Sequence, residues 1–435
     1  AHNLEVGGSN PSPATNLFIF RMKNIFLENN LNHVESLSLI LFLFFPISIL
    51  LGNLSINLNI FLISLLFLIS IILKKTKFNY NNKLFILLFF FFISLIINLI
   101  FSDSYLASLP RIVKIFFIIF FIFSFKNLIN NNFCENLIFK FWSLIFAIVI
   151  IDLIIEFYTG ENIFGFKSFA TNIRLGSFTG SESNIGNFFY GFVLVFLCFI
   201  YKKYPKQKFL NIGLAFFLVL VSFLIGERSN FIKTFFIIIL YSLFVYDVKF
   251  KFKIFSIILT ICLTILFLNF NENYKGRYFK QVSSIFEKDG INKYLDNSIY
   301  GAHYSVATEI FKDNPVFGVG IKNFRVESFK KKYDNIDHKL NHLRGNTHPH
   351  QIHYEFLSET GLFGYFSFLI FILFSLYYSI KNYVITNNIF QLSGILFVTS
   401  SLIPLLPAGS FFSTYPSSIF WINYALMMSY IDLKN

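Results

Sequence analysis

What most constrains this chain is a succession of long apolar stretches separated by short polar ones. Candidate helices lie at 36–51, 56–73, 84–101, 109–125, 137–157, 185–201, 209–225, 231–246, 251–270, 357–380, 389–406 and 418–431, the first, fourth and last being short. A membrane helix needs about 17–25 mostly apolar residues. No stretch alternates apolar and polar residues as a barrel strand would, so each reads as a helix whose backbone satisfies itself within lipid. Composition agrees. Phe alone supplies 65 of 435 residues, and charged residues make up 14%, against roughly 25% in soluble domains. A soluble fold could not hide so much apolar surface, which excludes the ordinary soluble, disordered and disulfide-rich secreted classes. The expected fold class is an all-α polytopic membrane protein with about twelve transmembrane helices.

Orientation follows from Lys and Arg in the short connections. With the N-terminus inside, seventeen fall on inner segments and six on short outer ones, the rest lying in one long loop. Both termini are then cytoplasmic. The outer surface is built from 158–184, 226–230, 271–356 and 407–417. The net charge of +13 would suggest nucleic acid in a soluble protein; here its location argues for topology, and no nucleic-acid partner is expected. Residues 1–21 precede the first Met, Met22, lack a signal-peptide pattern, and read as an upstream artefact or a disordered lead outside the fold. The expected division is then helices one to nine over 22–270, an outer loop subdomain over 271–356, and helices ten to twelve over 357–435. The loop is expected to hold helices near 297–312 and 321–332. Cys134, Cys198 and Cys262 all avoid the outer loops, so no disulfide framework is implied.

The densest chemical signal is the run from Asn346 to Gly364, where the long loop feeds helix ten. Pro349 suits a first helical position, with Thr347 or His348 as cap. His350 would then lie in the first turn, where the helix dipole disfavours imidazolium. A neutral imidazole at the outer surface is a competent general base, and a helix start also suits phosphate. An interfacial cap is the plainer reading of His350 taken alone. Clustering favours chemistry, because six of eight His (303, 338, 342, 348, 350 and 353) lie between 303 and 353. A metal site is a further possibility, since His350 and His353 would share a face, but no Asp/Glu pair stands beside them.

Outer arginines give a second signal. Arg174 precedes helix six in the segment running to Asn184, and Arg228 sits in the turn Gly226-Glu227-Arg228-Ser229-Asn230. Arg recognises phosphate bidentately, and two at outer helix ends suit a diphosphate. A single one is more often a side chain snorkelling to headgroups. Arg111 and Lys114 are lesser candidates of the same kind. Asp152 and Glu156 form a third signal. Carboxylates one turn apart in an apolar run are costly and functional by default; they could pair with Arg174 or Arg228, serve as an alternative base, or form a structural ion pair.

Together these motifs resemble the O-antigen ligase and Wzy polymerase superfamily. The resemblance rests on His350-x8-Glu359-x-Gly361-x2-Gly364, the Arg174–Asn184 segment, Arg228-Ser229, and Ala307…Asn314-Pro315-x2-Gly318-x-Gly320…Phe324, in that family's order and intervals. The chain differs in having Gln351 after the key His, where Asn is usual, in having His353 at a position often Tyr, and in placing Tyr300 and Tyr304 where Arg and Trp are frequent. The resemblance implies a GT-C-like integral membrane glycosyltransferase of a bacterial inner membrane, with its largest periplasmic loop between helices nine and ten. It implies an undecaprenyl-diphosphate-linked glycan as donor and lipid A-core or a growing glycan as acceptor. No metal or other cofactor is implied. His350 would activate the acceptor, Arg174 and Arg228 would hold the diphosphate, and Asn184, His348, His353 and Glu359 would help bind substrate. Ligase, polymerase and protein-glycosylating readings share this chemistry, with ligase slightly favoured. A lipid-linked-oligosaccharide transporter or flippase is the rival of another class. It would place its polar groups near the bilayer midplane rather than at the outer rim.

Overall fold

The computed structural model describes residues 31–76, 78, 82–167, 174–182, 184–283 and 290–431, so the lead at 1–21 lies outside the described residues. Every apolar segment read from the sequence carries helix, and no strand occurs among the described residues. The N-terminal half contains α1 (His33–Leu43), α2 (Phe45–Leu50), α3 (Asn53–Ile72), α4 (Lys83–Ile100), α5 (Tyr105–Ile129) and α6 (Asn132–Thr159). Then come α7 (Ile185–Lys203), α8 (Lys208–Leu224), α9 (Arg228–Val245) and α10 (Phe250–Phe270). The long connection carries α11 (Glu272–Ser283), α12 (Gly290–Asp296), α13 (Ile299–Asp313) and the short α14 (Phe324–Glu327). The chain closes with α15 (Ile352–Thr386), α16 (Ile389–Ser401) and α17 (Thr414–Ser429).

Eight of these helices, α3 to α7, α9, α10 and α15, are long and apolar enough to cross a membrane, and α1, α8 and α16 are shorter apolar helices. The first expected span is two helices rather than one. The chain breaks at Phe44, with Pro46 in the first turn of α2, where a missing N–H is tolerated. At the centre lies α17, all of whose residues but Pro416 are buried. It packs against α16, α5, α3 and α7. A helix buried on every side belongs in such a position, and its polar side chains bond internally, Asn423 Nδ2 donating to Gly191 O at 3.1 Å. Aromatic rings fill the space beside it: Phe371 and Tyr424 lie 5.1 Å apart, and Phe411 and Trp421 5.7 Å apart. In contrast, α10 is mostly exposed, with Phe255, Ile258 and Leu266 turned outward.

The long connection folds into a small core of Val306, Ala307, Ile310, Val319, Phe324 and Tyr333. Only Phe324–Glu327 of the helix expected over 321–332 is α-helical; a 3-10 turn follows at Lys331–Tyr333. This subdomain is seated on α15 by interlocking of two glycine motifs. At Gly361 the backbone takes φ 63° and ψ −168°, which interrupts α15. The opened turn bonds to the 315–320 segment: Leu362 N–H donates to Pro315 O at 2.8 Å and Phe363 N–H to Val316 O at 3.0 Å. In return, Val319 N–H donates to Ser358 O at 3.1 Å and Gly320 N–H to Glu359 O at 2.8 Å. A Cβ on Gly361 would lie 2.3 Å from Val316 O, so glycine is required for close approach as well as for its positive φ.

The start of α15 also differs from expectation. Its N-cap is Gln351, whose Oε1 accepts from His353 N–H at 2.8 Å and Tyr354 N–H at 3.1 Å. Pro349 is therefore outside the helix. His350 precedes the cap with φ 58° and is not in the first turn. Thr347 and His348 lie too far before the helix to cap it and contact each other instead, Thr347 Oγ1 to His348 Nδ1 at 3.0 Å, and the left-handed turn at His350 directs the chain into the helix.

Candidate active site

The ends of several helices meet on one side of the molecule, and hydrogen bonds between distant segments fix them there. Leu175 N–H donates to Ile225 O at 3.1 Å, which ties the residue after Arg174 to the Arg228 turn. Within that turn the buried Glu227 accepts from Gly186 N–H at 3.0 Å and from Asn230 Nδ2 at 2.6 Å. It thus serves the start of α7, where a carboxylate is favoured by free N–H groups and by the dipole. Arg228 is the first residue of α9, and its charge acts on the Tyr294 phenol of α12.

The decisive connection runs through two adjacent residues of the loop before α17. Ser229 Oγ donates to Pro407 O, and Ala408 N–H donates to His350 O at 2.7 Å. The Arg228 turn and the histidine segment, over a hundred residues apart, are therefore fixed to neighbouring peptide groups. Spacing in the sequence could not show this.

Around His350 the rings form a cluster. Its centroid lies 4.0 Å from His348, 5.3 Å from His303 and 5.6 Å from Tyr300. Thr347 Oγ1 and His348 Nδ1 are 3.0 Å apart, Asn346 Nδ2 and His303 Nε2 3.3 Å. His348 Nε2 and His303 Nδ1 are buried with no hydrogen-bond partner among the described residues. Burial, and then the neighbouring His303, push the His350 imidazole down to about 4. Burial, followed by His350 and Lys322, pushes His348 to about 2. His303 is lowered mainly by burial. These rings are neutral at neutral pH because desolvation disfavours the cation. The helix dipole is not the main cause, since the helix starts beyond them.

Other expected site residues fall elsewhere. His353 has both ring nitrogens engaged, Nε2 with Leu402 O at 2.9 Å and Nδ1 with Tyr365 OH at 3.0 Å, so it braces helices and shares no ligand face with His350. The side chain of Glu359 is fully buried, and neither carboxylate oxygen has a hydrogen-bond partner among the described residues. Asn184 lies at the start of α7 without capping it through its side chain, and its carbonyl accepts from Tyr415 OH at 3.3 Å. Asp152 and Glu156 are spent on the loop after α6. Asp152 accepts from Ile163 N–H at 2.7 Å and from Ser177 Oγ, and Glu156 accepts from Gly176 N–H at 2.9 Å and Ser177 N–H at 2.6 Å. They hold the segment that carries Arg174. Arg174 Nε is buried without a hydrogen-bond partner among the described residues.

Beneath the cluster lies a buried charged group that sequence reading missed. Lys322, 3% exposed, and Glu355, 1% exposed, stand 4.0 Å apart. The Arg111 charge faces Glu359 and Arg325, and Lys114 Nζ donates to Thr414 O at 3.3 Å. The two candidates on α5 thus belong to this lower layer. A signal for it was present: Glu355 and Glu359 stand one turn apart at the head of an apolar helix, the same pattern that drew attention to Asp152 and Glu156.

Fold and site together define a polytopic helical membrane protein whose histidines and arginines gather where the small core of the long connection meets the helix ends. Residues 213–369 match the family model described as O-antigen ligase. This match supports a relationship to the O-antigen ligase and Wzy superfamily, a glycosyltransferase-like family of ligases and polymerases in surface polysaccharide biosynthesis. The matched stretch contains Arg228, Lys322, His350, Glu355 and Glu359; Arg111 and Arg174 lie before it. No curated protein matches the chain.

Proposed function

We propose that this protein transfers a glycan from undecaprenyl diphosphate to an acceptor hydroxyl, lipid A-core first among the acceptors, at the periplasmic face of a bacterial inner membrane. In this reading the chain crosses twelve times with both termini inside, and the loop between α10 and α15 is periplasmic. His350 accepts the proton of the acceptor hydroxyl. The acceptor oxygen bonds to the anomeric carbon as the bond from that carbon to the phosphate oxygen breaks, with inversion. Arg174 and Arg228 bind the diphosphate and stabilise the charge it gains on leaving. The step uses these side chains alone and assigns nothing to a metal.

The observation that carries the proposal is the double attachment at Pro407 and Ala408, which sets a neutral imidazole beside an arginine turn. A general base and a cation clamp are the two groups this displacement needs. A flippase would instead line its path through the bundle, whereas these groups collect at helix ends.

The test is expression in a host without its own ligase and polymerase, supplied with one defined undecaprenyl-diphosphate glycan and, in a parallel culture, the native glycan. Glycan moving onto lipid A-core is the expected result. A lipid-linked ladder would assign a polymerase. Donor translocated but unconsumed would contradict transfer.

A further inference from the structure

Loop 407–413 fixes the two halves of the site, and four hydrogen bonds on its other side fix the loop. Lys322 Nζ donates to Ser410 Oγ, and to Ser413 Oγ at 2.8 Å. Ser410 Oγ donates to Glu355 Oε1, and Phe411 N–H to Glu355 Oε2 at 2.7 Å. Among the described residues, every hydrogen bond made by these two side chains ends on residues 410–413. Lys322 reaches them from a left-handed backbone, φ 65°, a conformation that lysine seldom adopts and that persists where the surroundings over-determine it.

We propose that Lys322 and Glu355 are positioning residues, which set loop 407–413 and through it the place of His350 and of the Arg228 turn. The inference rests on the transfer reading for its catalytic consequence. Its structural content stands on the bonds themselves. Stability alone is a poor reason for such a pair, because desolvating two charges offsets much of their attraction, and an apolar pair of similar volume often serves as well. Directionality is what an apolar pair lacks. The ammonium and carboxylate specify the register of a loop that has little regular structure of its own. From there the path is short: Ala408 N–H holds His350 O, and Pro407 O holds Ser229 Oγ. Both residues are too buried to meet substrate.

The test uses the full chain in detergent and reads diethylpyrocarbonate modification of individual histidines by mass spectrometry. The variants are Ser410→Ala, which leaves the charges paired, and the double variant Lys322→Met with Glu355→Leu, which removes both charges and leaves neither unpaired. His342, exposed, and His353, held by Leu402 and Tyr365, are internal controls. We expect His350 to react about threefold faster or more in both variants as its local protection loosens, with His342 and His353 unchanged. Where transfer is measured, kcat should fall about tenfold, with the donor KM within about twofold, because orientation rather than binding is lost. Unchanged His350 reactivity, or acceleration shared by His353 and His342, would overturn the proposal. A wild-type chain that transfers nothing while His350 still accelerates in the variants would sink the transfer reading and leave the positioning intact.

Discussion

His350 sits in a left-handed turn, φ 58°, stacked against His303 and tilted against His348, and that packing decides its protonation. A half-buried imidazole packed among other rings is poorly solvated as a cation, so it is neutral across the neutral range, as the proposed base must be. The sign is explicit. The neutral form accepts the acceptor proton and the cation cannot, so base activity is complete well above the lowered value and is lost as pH falls through about 4. We expect the acid limb of kcat/KM near pH 4, with most activity kept at about pH 5.5, where an ordinary His is mostly charged. A limb between 6 and 7 would place an unburied histidine in the role. The same shift makes the unfolded chain take the proton first, so acidification below the ordinary value costs folded stability until about pH 4. At Arg228 the issue is shape. Arg228→Lys keeps charge but loses the planar fork, and transfer should drop about tenfold or more. Near-full activity in that variant would reduce Arg228 to a headgroup contact.

Among the elements, the interrupted α15 carries the largest share of the architecture. Its opened turn at Gly361 exchanges four backbone hydrogen bonds with residues 315–320, so the motif glycines lock a subdomain onto a helix. Gly361→Ala would force a side chain into the positive-φ turn and against Val316 O; we expect a loss of about 1–3 kcal/mol, read as a lower thermal midpoint in detergent. These elements explain what the sequence could and could not reveal. Apolar segments were legible because lipid allows only helices that satisfy their own backbone. His350, Arg174 and Arg228 stand out as candidates because polar groups are rare in such a chain and cluster in recognisable order. The cap at Gln351 was missed because small side chains are the common cap, and a left-handed histidine leaves no mark in the sequence. Lys322 and Glu355 were missed for another reason. Their partners lie 55 to 91 residues away in a segment of Pro, Ala, Gly, Ser and Phe that carries no ionisable side chain, and pairing over such distances is decided by packing.

For the molecule as a whole, the account needs the subdomain and the site on one side of the membrane and the connection between α15 and α16 on the other. Single cysteines at Asp337 and Asn387, in a chain whose Cys134, Cys198 and Cys262 are replaced, distinguish the sides. An impermeant thiol reagent added from outside should label the first and spare the second. The reverse pattern would invert the topology and remove the periplasmic site. The central claim is that His350, fixed beside the Arg228 turn, is the base for transfer from a lipid diphosphate. It is tested most directly by reconstituting the purified protein with a defined undecaprenyl-diphosphate glycan and acceptor, and measuring released undecaprenyl diphosphate for wild type and His350→Ala. The account predicts release from the wild type and a fall of about 10²–10⁴-fold in the variant, with unchanged insertion. Release by a well-folded His350→Ala protein at the wild-type rate would contradict it.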